Sequence, residues 1–272
     1  MTAAALAVYA LLMTFGGCAD MLLLFPSKGA IDPQGASRRT VPYEHGVVEV
    51  WTARSPGVRE AEPRAYLLEF TGNATRAEHV AGYIAHRWGE RPLECWTVNY
   101  PGYGGSTPRA KLSLIPAAAL AAYDALAQEA KGRPIFVTGT SLGTAAALHV
   151  AAHRPVTGMI LQNPPPLRRM ILDHGWWNLW LFAGPVALGV PSDLDSIANA
   201  RQVTAPAVFL LSADDEIVAP KYQRMVADAY AGPKRMIDLP GARHNDPVEG
   251  APLKLLEAAM DWLLETSQQR SE

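Results

Sequence analysis

The stretch Gly139-Thr140-Ser141-Leu142-Gly143 lies between two segments of opposite character. Residues 134–138 are apolar and rich in β-branched side chains, which predicts a buried strand. Residues 144–153 are rich in alanine, which predicts a helix. A serine between glycines at a strand-to-helix turn is typical of a nucleophile elbow, in which a tight turn holds the hydroxyl above the sheet. The alternative is an ordinary tight turn that carries a surface serine.

Apolar strands and helices alternate along most of the chain around this turn. The alternation predicts an α/β fold with a mostly parallel central sheet and helices on both of its faces. The predicted strands are residues 47–51, 65–70, 95–99, 134–138, 156–162, 207–211 and 235–239, and the main predicted helices are residues 75–88, 115–130, 144–153, 220–230 and 251–266. Ligands of such sheets bind at the carboxyl ends of the strands, and we expect the functional residues there.

Length and composition indicate one large domain and restrict its partners. The chain has 272 residues, of which 49% are hydrophobic, and this suits a single well-buried core. The net charge of -2 and the absence of a Lys/Arg run argue against nucleic acid as a partner. The two cysteines, Cys18 and Cys95, imply no disulfide framework.

The first 26 residues differ from the rest and are predicted to be a leader or anchor. Residues 3–13 are apolar but too few to span a bilayer as a helix, and small residues precede Cys18. This pattern resembles a bacterial lipoprotein signal with Cys18 as the lipidated residue, although no Lys or Arg precedes the run and Phe15 stands where leucine is usual. We therefore expect an exported protein that is membrane-anchored or periplasmic. A simple signal, a membrane-anchoring leader and a cytosolic leader helix are the alternatives.

The remaining chain is predicted to comprise a linker at 27–45 and one α/β domain at 46–268. Residues 167–197 interrupt the alternation of strands and helices with apolar residues at helical spacing, which indicates a short helical cap. Trp176, Trp177 and Trp180 lie in this cap and are candidates for lining a pocket for an acyl group or another hydrophobic group. Packing of the cap onto the domain is an equally good explanation of these tryptophans.

A serine nucleophile needs a base, usually a histidine that a carboxylate orients. In a strand-elbow-helix fold these residues follow in the order Ser, Asp or Glu, and His. Of the seven histidines, only His244 follows the last predicted strand, which makes it the candidate base. Asp214 and Asp215 both follow the strand at 207–211. We prefer Asp215, because the acid usually lies a few residues past the strand, where the loop turns back toward the imidazole.

The remaining candidates concern the oxyanion and metal or phosphate groups. The backbone N–H groups of Leu142 and Asn73 are the predicted oxyanion-hole donors, one directly after the nucleophile and one on the loop after an early strand. His149 and His153 stand four residues apart on a helix, but the HExxH pattern is absent, so packing is preferred to a metal site. The glycine-rich residues 102–105 match neither G-x-G-x-x-G nor a P-loop. No metal or organic cofactor is implied.

The motifs together resemble the α/β-hydrolase superfamily, most closely the branch that contains small bacterial hydrolases and the eukaryotic protein depalmitoylases. The resemblance extends from about Val47 to Leu264, and it also favours Asp215, which precedes a Glu-hydrophobic-hydrophobic run as in the family. Thr71 and Pro101 depart from the His and Arg that the family usually has at these places. The matching segments are residues 70–74, 99–106, 139–143, 215–218 and 241–246.

The resemblance implies an α/β-hydrolase fold and a serine hydrolase that cleaves carboxylic esters or thioesters through an acyl-enzyme. Ser141 would be the nucleophile, His244 the base and Asp215 the acid that orients it, acting on a small-molecule or acyl substrate. One alternative is a peptidase of the proline-aminopeptidase kind, with Asp173, Asp193 or Asp195 as the anchor for a substrate amine. The other is a non-catalytic binding protein on the same fold. Nothing in the sequence indicates an oligomeric state.

Overall fold

One eight-stranded sheet organises the molecule, with the strand order β1-β2-β4-β3-β5-β6-β7-β8. The structure is a computed structural model that describes residues 8, 9, 11, 14, 17–58, 62–175 and 182–269, with side chains described as far as residue 266. The strands are β1 (Ser37–Tyr43), β2 (Gly46–Arg54), β3 (Ala65–Phe70), β4 (Leu93–Val98), β5 (Ile135–Thr140), β6 (Gly158–Gln162), β7 (Ala207–Ser212) and β8 (Lys234–Leu239). The two pairings that involve β2 are antiparallel, and the others are parallel. The predicted mostly parallel sheet is confirmed.

Helices connect the parallel strands and cover both faces of the sheet. In chain order they are α1 (Cys18–Leu23), α2 (Ala77–Arg87), α3 (Ile115–Ala130), α4 (Leu142–His153), α5 (Leu167–His174), α6 (Gly184–Leu188), α7 (Ser196–Ala200), α8 (Pro220–Ala229) and α9 (Gly250–Gln269). Short 3₁₀ turns occur at Leu112–Leu114 and Ser192–Leu194. The helix predicted at 115–130 is confirmed at both of its ends.

Alternate residues of the central strands belong to two separate cores. Tyr66, Leu68 and Phe70 of β3 face the alanine-rich helices α3 and α4, whereas Leu67 joins a second core with residues of α2 and α9. Because side chains alternate across a strand, a strand that is apolar at every position must be covered on both sides. The continuous apolar runs in the sequence therefore follow directly from this layered packing.

The first strand of the sheet lies earlier in the chain than the sequence pattern predicts. The segment 27–45 is predicted to be a linker, and this is wrong for Ser37–Tyr43, which pairs with β2 as the outermost strand. Val41 is the buried residue of this strand, so the strand lacks an apolar pattern from which it could be predicted. Backbone hydrogen bonds to β2 hold it in the sheet, and an edge strand needs little side-chain burial.

The cap consists of short helices, as far as the structure describes it. Its described elements are helices α5, α6 and α7 and the 3₁₀ turn at Ser192–Leu194. Trp176, Trp177 and Trp180 lie outside the described residues, so their predicted role as pocket residues stays a prediction.

At the N-terminus, α1 packs onto the cap. Ala19 is buried, and a side chain at Gly189, beside the end of α6, would lie 3.0 Å from the Ala19 methyl group. Within the described part of the chain, no helix combines the length and the hydropathy that crossing a bilayer requires.

Candidate active site

Ser141 lies on a strained turn between β5 and α4. Its backbone angles of φ 52° and ψ -122° fall in a region that non-glycine residues rarely adopt, and such strain concentrates at functional sites. The Ser141 N–H donates to the Gln162 carbonyl at 2.8 Å, which extends the β5–β6 ladder into the turn. The hydroxyl-bearing residue is thereby held at the carboxyl end of the sheet, as predicted for a nucleophile elbow.

The two glycines of the elbow allow backbones to approach closely. A Cβ atom at Gly139 would lie 2.5 Å from the Gly143 carbonyl oxygen, and one at Gly143 would lie 1.9 Å from the Phe70 carbonyl oxygen. Any side chain at these positions would clash with backbone atoms that cannot easily move. The small residues of the motif therefore bring β5, α4 and the end of β3 together.

Asp215 and His244 form a buried pair at the same end of the sheet. The imidazole Nδ1 lies 2.8 Å from Asp215 Oδ2, and the exposed fractions of the two residues are 6% for His244 and 4% for Asp215. Because an ionised carboxylate only accepts hydrogen bonds, Nδ1 carries the proton and Nε2 remains available as a base. Asp214 is exposed, so the structure pairs His244 with the second of the two adjacent aspartates.

Three donors hold the Asp215 carboxylate in place. The backbone N–H groups of Ile217 and Val218 donate to Oδ1 at 2.8 and 2.7 Å, and Gln223 Nε2 donates to Oδ2 at 3.1 Å. These bonds fix the orientation of the carboxylate that faces the imidazole. Sequence reasoning missed Gln223, although it is a polar residue on the buried stripe of α8 together with Val226 and Ala227.

Two hydrogen bonds also hold the backbone of His244 in place. Its N–H donates to Glu216 Oε2 at 3.4 Å, and its carbonyl accepts from Asn163 Nδ2 at 3.1 Å. Asn163 directly follows β6, is fully buried and was also missed by sequence reasoning. A polar residue between an apolar strand and three prolines was the available signal.

The loop after β3 lies next to the elbow, where the oxyanion donors are predicted. A Cβ atom at Gly72 would lie 3.8 Å from the Ser141 Cβ, so the loop backbone passes beside Ser141. Leu142 is the first residue of α4, and the first N–H groups of a helix lack partners within the helix. The roles of Leu142 and Asn73 as oxyanion donors remain predictions.

The side chain of Asn73 binds the N-terminal segment. Asn73 Nδ2 donates to the Leu23 carbonyl at 2.7 Å, while Oδ1 accepts from the Phe25 N–H at 3.1 Å and from the Tyr103 hydroxyl at 2.7 Å. Arg76, on the same loop, donates to the carbonyls of Ser27 and Gly29 at 3.1 and 2.8 Å. Residues 23–29 are therefore fastened to the loop that carries a predicted oxyanion donor, and we call them the N-terminal clamp segment.

The helix that follows the nucleophile carries the histidine pair considered for metal binding. His149 is buried, and its ring centroid lies 4.3 Å from that of His153. Burial and then the neighbouring His153 lower the pKa of His149, so its ring is neutral at neutral pH. His153 Nδ1 lies 2.8 Å from the His149 carbonyl. Among the described residues, no third His, Cys, Asp or Glu joins this pair in a cluster that could hold a metal ion.

A small cavity of about 40 Å³ lies on the face of the sheet covered by α2 and α9. Glu69 of β3, Thr138 and Thr140 of β5 and Gln162 of β6 are among its lining residues. Burial raises the pKa of Glu69 from 4.5 to about 8, against the opposing effects of a hydrogen bond with Thr138 and the charge of Arg87. Glu69 is therefore a protonated acid at neutral pH.

The site geometry agrees with a comparison of the sequence with protein families. The model of the alpha/beta hydrolase family matches residues 61–199, just over half of the chain. The chain belongs to the alpha/beta hydrolase family. This membership supports hydrolase activity in general terms.

Individual relatives of this alpha/beta hydrolase are distant. The uncharacterised protein Rv2307c of Mycobacterium tuberculosis is 29% identical over 185 residues, which cover 62% of this chain and 59% of that protein. The chain thus spans about three fifths of the length of this curated relative. The esterase Pf2001 of Pyrococcus furiosus superposes with a TM-score of 0.66 at 12% identity, covering 89% of this chain and 95% of that one. Est1E from Butyrivibrio proteoclasticus has a TM-score of 0.62 at 14% identity, covering 84% and 98%. At these identities the structural likeness concerns the fold.

In this alpha/beta hydrolase, the three predicted residues come from three different loops. Ser141 follows β5, Asp215 follows β7 and His244 follows β8, in the chain order expected for the fold. All three strands are parallel, so their carboxyl ends meet at one edge of the sheet. The arrangement places Ser141 on its strained turn and the Asp215–His244 pair at the same edge of the sheet.

Proposed function

We propose that this alpha/beta hydrolase is a serine hydrolase that cleaves carboxylic esters or thioesters through an acyl-enzyme. The observation that supports the proposal most is the buried Asp215–His244 pair at the edge of the sheet where Ser141 occupies its strained turn. In such a pair the carboxylate fixes the tautomer of the imidazole and stabilises its protonated form during the reaction.

The proposed reaction has two halves. His244 Nε2 takes the proton from the Ser141 hydroxyl while the oxygen attacks the substrate carbonyl carbon, and backbone N–H groups stabilise the resulting oxyanion. Collapse of this intermediate expels the alcohol or thiol, which takes the proton from His244 and leaves an acyl group on Ser141. Water then attacks the acyl-enzyme carbonyl while His244 takes a proton from it. Collapse of this second intermediate releases the carboxylic acid, and the Ser141 oxygen takes the proton back from His244.

The aminopeptidase alternative loses support from the contacts of its candidate anchors. Asp173 pairs with Arg169 at 3.0 Å and accepts from the Tyr222 hydroxyl at 3.2 Å. Asp195 caps α7 by accepting from the backbone N–H groups of Ile197 and Ala198. Two of the three candidate carboxylates, Asp173 and Asp195, already have partners, and ester or thioester hydrolysis requires no such anchor.

Labelling with a fluorophosphonate probe tests the proposal directly. We expect the purified protein to form a covalent adduct at Ser141, identified by mass spectrometry, and to hydrolyse p-nitrophenyl acyl esters faster than aminoacyl anilides. Ser141→Ala removes both activities, whereas Ser192→Ala, on an exposed turn of the cap, keeps them. Absence of any adduct in the folded wild-type protein would favour the binding-protein alternative.

We further propose that the protein is exported and anchored through Cys18. The support comes from the apolar run at 3–13 and the small residues before Cys18. Cleavage before Cys18 would keep α1 and the N-terminal clamp segment, whereas cleavage after residue 26 would remove the Leu23 and Phe25 contacts with Asn73. Metabolic labelling with a palmitate analogue tests this, since Cys18→Ser would abolish incorporation and Cys95→Ser would not.

A further inference from the structure

Asn163 is a buried polar residue that no step of the proposed reaction uses. It directly follows β6 with a φ of 52°, and none of its surface is exposed. Its side chain donates from Nδ2 to the His244 carbonyl at 3.1 Å and accepts at Oδ1 from the Ser212 N–H at 3.1 Å. Its own N–H donates to the Leu210 carbonyl at 3.0 Å. The residue therefore connects the ends of β6 and β7 with the loop that follows β8.

The neighbouring residue extends this connection to the nucleophile. The Gln162 carbonyl accepts from the Ser141 N–H at 2.8 Å, and β6 lies between β5 and β7 in the sheet. Two consecutive residues, Gln162 and Asn163, thus bond to the backbone of Ser141 on one side and to the backbone of His244 on the other. This is a short and continuous link between the proposed nucleophile and the proposed base.

We propose that Asn163 is a positioning residue, whose amide donation to the His244 carbonyl keeps the base aligned with Ser141 and Asp215. The proposal rests on the function proposed above and deepens it. His244 lies on a loop, outside any strand or helix, so its backbone needs an anchor on the rigid sheet. A misplacement of about 1 Å in a catalytic group can reduce a rate about 100-fold.

The cap provides a matched control for this role. Asn199 is also a buried asparagine, and its Nδ2 donates to the Asp193 carbonyl at 2.7 Å. It makes the same kind of bond, but to a segment that carries none of the proposed catalytic residues. Apart from the strain that the φ of 52° adds at position 163, a purely structural effect of losing a buried amide should appear in variants of both asparagines.

The experiment compares Asn163→Ala with Asn199→Ala in the full-length protein. For Asn163→Ala we expect kcat on a p-nitrophenyl ester, and the rate of fluorophosphonate labelling, to fall about 10- to 100-fold while KM changes less than about twofold. For Asn199→Ala both rates should stay within about twofold of wild type. The melting temperature of each variant shows whether the loss of rate merely follows a loss of stability.

A second variant and a spectroscopic measurement separate the possible results. Asn163→Leu has nearly the same volume but removes the donor to the His244 carbonyl, so its rates should fall like those of Asn163→Ala. It replaces that variant if alanine prevents folding. The low-field proton NMR resonance of His244 Nδ1–H, bound to Asp215, should weaken or shift in the Asn163 variants and not in Asn199→Ala. Full rates and an unchanged resonance in a folded Asn163 variant would overturn the proposal. If the fluorophosphonate probe does not label Ser141 of the wild type but the His244 resonance still changes in the Asn163 variants, the proposed reaction is rejected and the positioning role is kept.

Discussion

Replacing Glu69 with glutamine should remove most of the pH dependence that Glu69 gives to the free energy of unfolding of this protein. Glu69 lies on β3, is 3% exposed and borders the small cavity behind the elbow. Glutamine has nearly the same shape but cannot ionise. The charged and titratable groups that interact with Glu69 are Arg87 of α2, Cys95 of β4 and Tyr100 after β4.

The magnitude follows from the difference in proton affinity between the folded and unfolded states. Burial raises the pKa of Glu69 from 4.5 to about 8. At about 1.4 kcal/mol per pH unit, this interval corresponds to a free energy on the order of 5 kcal/mol, which is an upper bound because the site can relax around the charge. The pKa of about 8 already includes the opposing attraction of the Arg87 guanidinium.

The sign is fixed by which state holds the proton. Between pH 4.5 and about 8 the folded protein keeps the proton on Glu69 and the unfolded chain releases it. The stabilisation that the neutral acid provides is thus fully present below pH 4.5 and is lost as the pH rises through about 8. Above that pH both states are ionised, and this group contributes no further change.

Urea unfolding of wild type and Glu69→Gln at several pH values from 5 to 9 measures the effect. The stability of wild type relative to the variant should decrease by several kcal/mol, about 4 at most, as the pH rises across this range. Glu257→Gln, at an exposed position of α9, should show no such trend relative to wild type. Parallel stability curves for wild type and Glu69→Gln would refute the raised pKa.

Three further predictions concern the site and its supports. Gly143→Ala should destabilise the protein by about 1–3 kcal/mol or more in urea unfolding, because its Cβ would lie 1.9 Å from the Phe70 carbonyl oxygen, whereas Gly29→Ala, with open space around it, should be neutral. Asn73→Ala should release the N-terminal clamp segment, seen as faster amide hydrogen exchange at residues 23–29; unchanged exchange there would contradict the clamp. Gln223→Leu removes a donor to Asp215 and should lower kcat about tenfold, with Gln202→Leu on the surface as control; equal kcat in both variants would show that Asp215 does not need this donor.

The strained turn at Ser141 and the position of the candidate base His244 could be predicted from the sequence because their signals are local or depend on chain order. A strand, a glycine-flanked serine and a helix are contiguous in the chain, and the clash distances at Gly139 and Gly143 explain why only small residues stand there. His244 is the candidate base because, among the seven histidines, it alone follows the last predicted strand. The layered fold was predictable because strands buried on both faces must be apolar at every position.

The local sequence pattern does not give the physical reason for the choice between Asp214 and Asp215. Both residues are aspartates on the same loop, and position and family resemblance favour the second. The physical reason lies in the folded loop, where the N–H groups of Ile217 and Val218 turn back onto Asp215 and Gln223 approaches it from α8. These contacts exclude Asp214 from the position beside the imidazole.

The amino-acid sequence by itself determined the layered α/β fold, the elbow and the candidate base, since each follows from the pattern of neighbouring residues or from their order. Only the tertiary structure decided that Ser37–Tyr43 is an edge strand, that residues 23–29 are held by Asn73, and that Asn163 connects β6 with the His244 loop. The last two depend on hydrogen bonds between residues far apart in the chain, and the edge strand depends on backbone hydrogen bonds to its neighbour, while most of its side chains are exposed. A hydrogen bond of this kind requires one donor and one acceptor at the right distance, and it leaves no periodic pattern in either segment.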